Sequence, residues 1–212
     1  MNSVYFGDKN SYDDFNLILK PKIRPFPTPK TKKVSIEGAD GDLDLTHALT
    51  KDTKYNNIDG YDLEFYLKDK RANWEEALLK ISNHIHGKRL PLTFSDDPDY
   101  YYDGSYMLNE LESDMNVGSI VITCDFMPYR YKKIETVKSI TGTGTLTLSN
   151  TRKWVMPTIT STDSMQFTFE GKTFTVNGTL QSPDIILKEG ENTIEVINGT
   201  GTLTVTYREA KL

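Results

Sequence analysis

The chain has 212 residues, 37% of them apolar and 26% charged, with a formal net charge of −5. That length holds one large core or two small ones, and no apolar run is long enough to cross a bilayer. An acidic balance without a lysine or arginine cluster interleaved with aromatics argues against sequence-reading nucleic-acid binding, and a single cysteine, Cys124, excludes an intrachain disulfide.

The opening residues, Met1 to Gly7, lack the basic start and apolar core of a signal peptide, which predicts no export by that route. Val4 to Phe6 reads as a short extended piece. Leu17, Ile18 and Leu19 carry a strand predicted over residues 16–23 into a basic stretch, Lys20 to Lys33. Pro21, Pro25, Pro27 and Pro29 make that stretch an extended arm, because proline fixes φ and offers no N–H to a helix. Such an arm lies along a neighbouring surface or stays mobile, so Ile23, Arg24 and Phe26 are candidate subunit or partner contacts. Phosphate binding is the alternative use of its lysines.

Residues 33–37 alternate as a strand, after which Gly38 and Gly41 supply positive-φ geometry and Asp40, Asp42 and Asp44 recur at every second position. Oxygen ligands so spaced can face one cation. Counted from Asp40, however, a calcium loop would need glycine where Leu45 stands and glutamate where Lys51 stands. A turn with solvated carboxylates is the better reading.

Residues 59–68 place Tyr61, Leu63, Phe65 and Leu67 on one face and Asp62, Glu64, Tyr66 and Lys68 on the other, which is a half-buried strand. A helix follows, with Asn73 as N-cap and Glu76 completing a capping box. Trp74, Ala77, Leu78, Ile81 and Ile85 fall at helical spacing, and Gly87 stops the run. His84 and His86, two residues apart, turn to different faces and predict no shared metal, and His47 has no partner motif.

Residues 95–104 form an acidic turn leading into Tyr100, Tyr101 and Tyr102, a tyrosine ladder expected to pack between subunits or sheets. The carboxylates from Asp96 to Asp103 could in principle serve as an acid and base on a sugar, but nothing in the stretch assigns the two roles. The strand continues to Leu111, and residues 114–118 turn. The β-branched run Ile120, Val121, Ile122 and Thr123 then forms a closing strand expected to end at Met127 and Pro128, with Cys124 a buried structural thiol. The composition changes here, which predicts an N-terminal domain over 1–131 and a C-terminal domain over 132–212.

Beyond residue 132 the pattern is all β. Strands are predicted over 132–140, 143–148 and 154–159, then a hairpin over 165–176 turning at Glu170 and Gly171, then strands over 184–187, 193–197 and 202–207. Met165, Phe167 and Phe169 share one face, opposite Phe174 and Val176. Eight short strands at this spacing imply a β-sandwich. Residues 140–148 nearly repeat as 197–205, as befits first and last strands in similar sheet environments. Asn177 to Thr179 and Asn198 to Thr200 match the glycosylation acceptor pattern, a coincidence in a chain with no signal peptide. No nucleophile motif, P-loop, dinucleotide fingerprint or zinc spacing occurs, so no catalytic, cofactor-binding or metal-binding residue is predicted.

The ordered succession of residues 36–46, Tyr55, the strand and helix of 59–86, the acidic aromatic run 96–101 and the ending Phe126 to Tyr131 resembles the distal tail protein, Dit, of long-tailed siphophages, often encoded in prophages. Residues 186–194, before a glycine-rich turn and a last strand, are similar to that family's galectin-like sandwich. The resemblance covers nearly the whole chain. It implies a mainly β protein with an N-terminal β-sandwich-like belt domain carrying one α-helix and a C-terminal galectin-like β-sandwich. It also implies a structural hub without enzymatic activity or cofactor, a homo-hexameric ring that joins the tail tube to the tail tip or baseplate and through which DNA passes. The expected partners are other copies of the chain, the tail tube protein, the tail-tip or tail-associated protein and receptor-binding or baseplate proteins, with no sequence-specific nucleic acid and no membrane insertion. Its place would be the virion tail tip, after synthesis in the bacterial host cytoplasm. A reading from a different class is a carbohydrate-binding module that recognises host cell-wall glycans through the C-terminal sandwich, with Trp154 and Tyr207 as the platform.

Overall fold

The computed structural model describes residues 3–48, 52–114 and 117–212, with only the backbone described at 110, 113 and 114. Lys51, the last position of the calcium reading, and the tip of the turn predicted over 114–118 lie outside the described residues. The chain divides into two compact units, Met1–Tyr129 and Arg130–Leu212.

The first unit contains β1 (Val4–Phe6), β2 (Lys9–Asn10), β3 (Leu17–Leu19), β4 (Lys33–Ser35), β5 (Asp42–Asp44), β6 (Ile58–Leu67), α1 (Trp74–Ile85), β7 (Arg89–Phe94), β8 (Tyr100–Asp114) and most of β9 (Val117–Lys132). Its main sheet has the order β2-β1-β7-β8-β9-β6-β3. Alternation decides what the sheet buries: Leu63, Phe65 and Leu67 of β6 and Ile120, Ile122, Cys124 and Phe126 of β9 all enter the core. α1 adds Trp74, Ile81 and Ile85 to the same cluster, and Phe6 and Tyr106 meet there edge to face at 5.2 Å.

Three expectations need correction in this unit. The capping box does not form: a 3-10 turn, Arg71–Asn73, feeds directly into α1 and leaves Asn73 at φ −107° and ψ 4°, with no side-chain cap bond. An N-cap must be extended for its side chain to accept from the N–H groups of the first helical turn, and the preceding turn has already bent Asn73 and engaged its own N–H with the Lys70 carbonyl. The strand predicted over 16–23 is only Leu17–Leu19, because the proline arm leaves the sheet at once. Finally, β9 does not stop at Pro128 but runs on to Lys132. Pairing with β6 ends at Phe126 and pairing with the last strand starts at Arg130, so Pro128 falls between the two, where its missing N–H breaks neither ladder.

The second unit contains β10 (Thr136–Thr141), β11 (Gly144–Asn150), β12 (Thr158–Phe169), β13 (Lys172–Leu180), β14 (Gly190–Asn198), β15 (Thr202–Tyr207) and β16 (Ala210–Lys211), the last paired with Tyr131 and Arg130. The β12–β13 hairpin turns at Glu170 and Gly171, with φ of 48° and 77°, as the sequence predicts. The strand predicted over 184–187 and the first part of the one predicted over 154–159 do not join the sheet, although Thr158 and Ile159 open β12. Residues 154–157 and 184–187 meet only at the isolated bridge Val155–Leu187, although Ile185 and Leu187 are buried.

The pairing registers show how this unit becomes a sandwich. One edge of β12 pairs first with β15, over 158–161, and then with β14, over 166–168, so β14 and β15 are one strand interrupted at 199–201. β10 and β11 are likewise one strand interrupted at 142–143, pairing with β15 and β14 in turn. The interruptions are neighbours, since Gly142 N–H donates to the Gly201 carbonyl at 2.9 Å. The near-repeat of residues 140–148 and 197–205 therefore marks adjacent strands crossing one crease. Were the sheet flat, Tyr207, which pairs with Thr136, would lie roughly 40 Å from Ser149 at the usual rise of about 3.3 Å per residue. Instead its hydroxyl donates to the Ser149 carbonyl at 2.6 Å, so the sheet has folded over on itself. Leu148, Phe167, Ile194, Leu203 and Val205 from both halves fill the space between.

Candidate interaction surfaces

The proline arm has carbonyls but little ladder to receive them, and an unpaired backbone oxygen near a sheet needs a donor. Tyrosines supply two. Tyr61 Oη donates to the Ile23 carbonyl at 2.9 Å and Tyr102 Oη to the Pro25 carbonyl at 3.4 Å. Lysines and an arginine anchor the arm further. Lys20 Nζ meets Glu64 at 3.2 Å, Lys22 Nζ donates to the Asp62 carbonyl, and Arg24 pairs with Asp96 at 2.6 Å and Asp97 at 3.5 Å while stacking over Phe94. The arm then leaves along residues 54–56, through Asn56 N–H to the Thr28 carbonyl at 2.9 Å and Lys30 N–H to the Lys54 carbonyl at 2.7 Å.

Fixing the backbone in this way leaves two large apolar side chains pointing away from it. Ile23 is 84% exposed and Phe26 is 67% exposed. Arg24 is committed to its own chain. Tyr100 and Tyr101 are half-buried, whereas Tyr102 is 2% exposed and packs against Phe126 at 4.9 Å, so its ring belongs to the core and cannot meet another subunit. The tyrosine ladder alternates across the strand, and Tyr102 falls on the inward side.

A second exposed feature is the β4–β5 hairpin, which is a two-stranded sheet of its own with Val34 opposite Leu43. Val34, Ile36 and Leu43 are all exposed. Asp40 in its turn and Asp42 and Asp44 in β5 are exposed, and the Thr46 side-chain and backbone hydrogen bonds hold the Asp44 carboxyl below its ordinary value.

A third feature is a groove of about 370 Å³ between α1 and β8, lined by Glu75, Leu78, Leu79, Ser82, Leu108, Asn109 and Leu111. Leu79 stands 63% exposed on its wall, and Glu112 and Val121 continue the surface beyond Leu111. The helical spacing read from the sequence takes in Trp74, Ala77, Leu78, Ile81 and Ile85. Leu79 lies off the stripe formed by Trp74, Ile81 and Ile85, and only the packed helix reveals it as surface.

The titratable groups inside the first unit are structural. Burial pushes the Cys124 thiol and the Tyr106 phenol up, and the Tyr106 hydroxyl is satisfied by the Leu90 carbonyl at 2.8 Å. His84 donates to the Phe6 carbonyl at 2.8 Å, whereas His86 Nδ1 accepts from Leu108 N–H at 3.1 Å, so the two imidazoles serve different backbone groups.

In the second unit the proposed glycan platform does not assemble. Tyr207 is 3% exposed with its hydroxyl bonded inward, so it offers no face to a sugar. Trp154 is half-buried, with the Lys188 ammonium 5.8 Å from its ring centre. Tyr207 turns inward because the last residue of β15 lies where the folded sheet closes.

Neither a protein-family model nor a curated protein matches the sequence. Among solved structures, the Dit (gp 19.1) protein of SPP1, described as a paradigm of hub adsorption apparatus in Gram-positive infecting phages, aligns over 100% of both chains with a TM-score of 0.72 at 16% identity. The chain has the Dit fold. The full coverage means that this likeness takes in the helix-bearing first unit as well as the sandwich. At this identity what the two chains share is architecture.

Proposed function

We propose that this protein is a structural hub of the Dit type in a phage tail, a ring joining the tail tube to the tail tip or baseplate. The observation that carries the reading is the end-to-end match to SPP1 Dit, which takes in the whole of both chains. The molecule's exposed features support it: an anchored arm with bare apolar tips, a free hairpin and an apolar groove are surfaces for contact, and they lie on the helix-bearing unit that the resemblance assigns to the ring. The ring is homo-hexameric, encloses the path of the DNA and meets the tail tube protein on one side and tail-tip or receptor-binding components on the other. Ring closure needs a heterologous contact, in which two different patches of each copy meet.

Mass measurement in solution tests this. The purified 24.1 kDa chain, alone or with its tail tube partner, is expected to form a closed assembly of six copies. A protein that stays monomeric at high concentration in both conditions overturns the reading.

A further inference from the structure

The first unit carries two apolar features of opposite shape, and we propose that they fit each other between copies. The arm tip of one chain, Ile23 and Phe26, docks into the groove between α1 and β8 of a second copy. This inference rests on the ring reading above and names its contact.

The arm is prepared for docking before any partner arrives. The Tyr61 and Tyr102 hydroxyls hold the carbonyls of Ile23 and Pro25, and the Arg24 ion pairs with Asp96 and Asp97 pin the residue between them. The ordering of the backbone has thus been met within the chain, so burying Ile23 and Phe26 costs little further conformational entropy. Side chains this exposed are ordinary when scattered, but two of them on one braced loop form a presented knob.

The groove is the complementary shape. Leu78, Leu79, Leu108 and Leu111 give it an apolar floor and wall, and at about 370 Å³ it has room for more than one large side chain. Charge matches as well. Glu75 lines the groove and Glu112 lies beyond Leu111, whereas Lys22 and Lys30 flank the arm tip. Basic flanks meeting an acidic border steer the approach and disfavour arm-to-arm or groove-to-groove pairing. Among the described residues, none of the arm lines the groove, so the contact is heterologous and repeats head to tail, as a ring requires.

Cross-linking of the full chain tests the contact. Cys124 is buried, so the native thiol is silent and introduced cysteines report alone. Phe26→Cys and Leu79→Cys are prepared as separate variants and treated with a short bis-maleimide. The expected result is a covalent dimer in the mixture and none in either variant by itself, with the double variant giving a ladder of linked copies. In parallel, Phe26→Asp is expected to raise the concentration at which the assembly half-dissociates at least tenfold, with circular dichroism and the thermal melt unchanged. A wild-type ring that persists with no cross-link in the mixture overturns the contact and leaves the ring reading standing. Cross-linking of Phe26→Cys to itself overturns it in favour of an arm-to-arm interface. A monomeric wild-type protein removes both.

Discussion

Gly104 in β8 shows how closely the two longest strands approach. A Cβ added there would lie 2.5 Å from the Asp125 carbonyl oxygen and 3.0 Å from Cε1 of Phe126, both in β9 and neither free to move. Gly104→Ala is therefore expected to cost about 1–3 kcal/mol, the usual range for overpacking, measured by urea unfolding followed by circular dichroism. Phenols give the pH behaviour at this scale. Burial pushes Tyr61 and Tyr207 up to about 12, with repulsion from Tyr102 and from Glu209 respectively adding to it. A group whose pKa is raised on folding gives its full stabilisation below the unfolded value of about 10 and loses it as the pH rises through the folded value. Stability should accordingly fall between about pH 10 and 12, and the variant Tyr61→Phe/Tyr207→Phe should flatten that slope. An unaltered slope in the double variant would refute the assignment. Tyr207 also shows a limit of reading residues from pattern: alternation places it on a face, but which way that face looks depends on where the sheet folds.

Among the elements, α1 was the clearest in the sequence, and its limits at Trp74 and Ile85 follow from the spacing of its apolar residues and from Gly87. Its start falls where the sequence predicts it, after Asn73, but the capping bonds do not form, because the capping pattern is local whereas the 3-10 turn before the helix is fixed by Trp74. The indole N–H of Trp74 donates to the Asp69 carbonyl at 2.8 Å. This difference is measurable. Asn73→Ala should change stability by only a few tenths of a kcal/mol, well short of the typical loss of about 1 kcal/mol for a true N-cap, whereas Ile81→Ala, in the core, should cost about 2–5 kcal/mol. Comparable losses from both would mean that Asn73 caps the helix after all. The strand β9 carries the same lesson. Its β-branched residues announced a strand, but Pro128 was read as a stop because the sequence does not show that β6 runs out just before it. In the second unit, the glycine-threonine repeat was visible and its role as a crease was not, since adjacency of residues 142 and 201 exists only after folding.

At the scale of the whole molecule, the two units divide between Tyr129 and Arg130, inside a continuous strand and not in a loop. The residues just past that point are tied down: Lys132 N–H donates to the Glu209 carbonyl at 2.9 Å, and Lys132 Nζ meets the Glu209 carboxylate at 2.7 Å. Hydrogen bonds from Lys132, Thr136 and Thr151 hold that carboxyl below its ordinary value, against the opposing effect of burial. Limited trypsin digestion should therefore spare the bonds after Arg130 and Lys132 and cut first within residues 30–44, where Lys32 and Lys33 are exposed in the arm and hairpin. A primary cut at 130–132 would show that the junction opens. The arm tip at Ile23 and Phe26, which carries the contact proposed for the ring, lies just before this region, so cutting beside it at Lys22 and Lys30 should slow on assembly.

What the sequence determined by itself were the properties set by near neighbours along the chain: strand alternation in β6 and β12, the helix, the Glu170–Gly171 turn, the extended proline arm and a mainly β composition. These follow from side-chain period and backbone freedom, which act over a few residues. Only the tertiary structure decided which tyrosines face inward, where Pro128 could be tolerated, how the second sheet folds across its crease, and that Ile23, Phe26 and Leu79 remain bare. Each of those depends on residues far apart in the chain coming into contact, and contact at a distance is written in no local pattern.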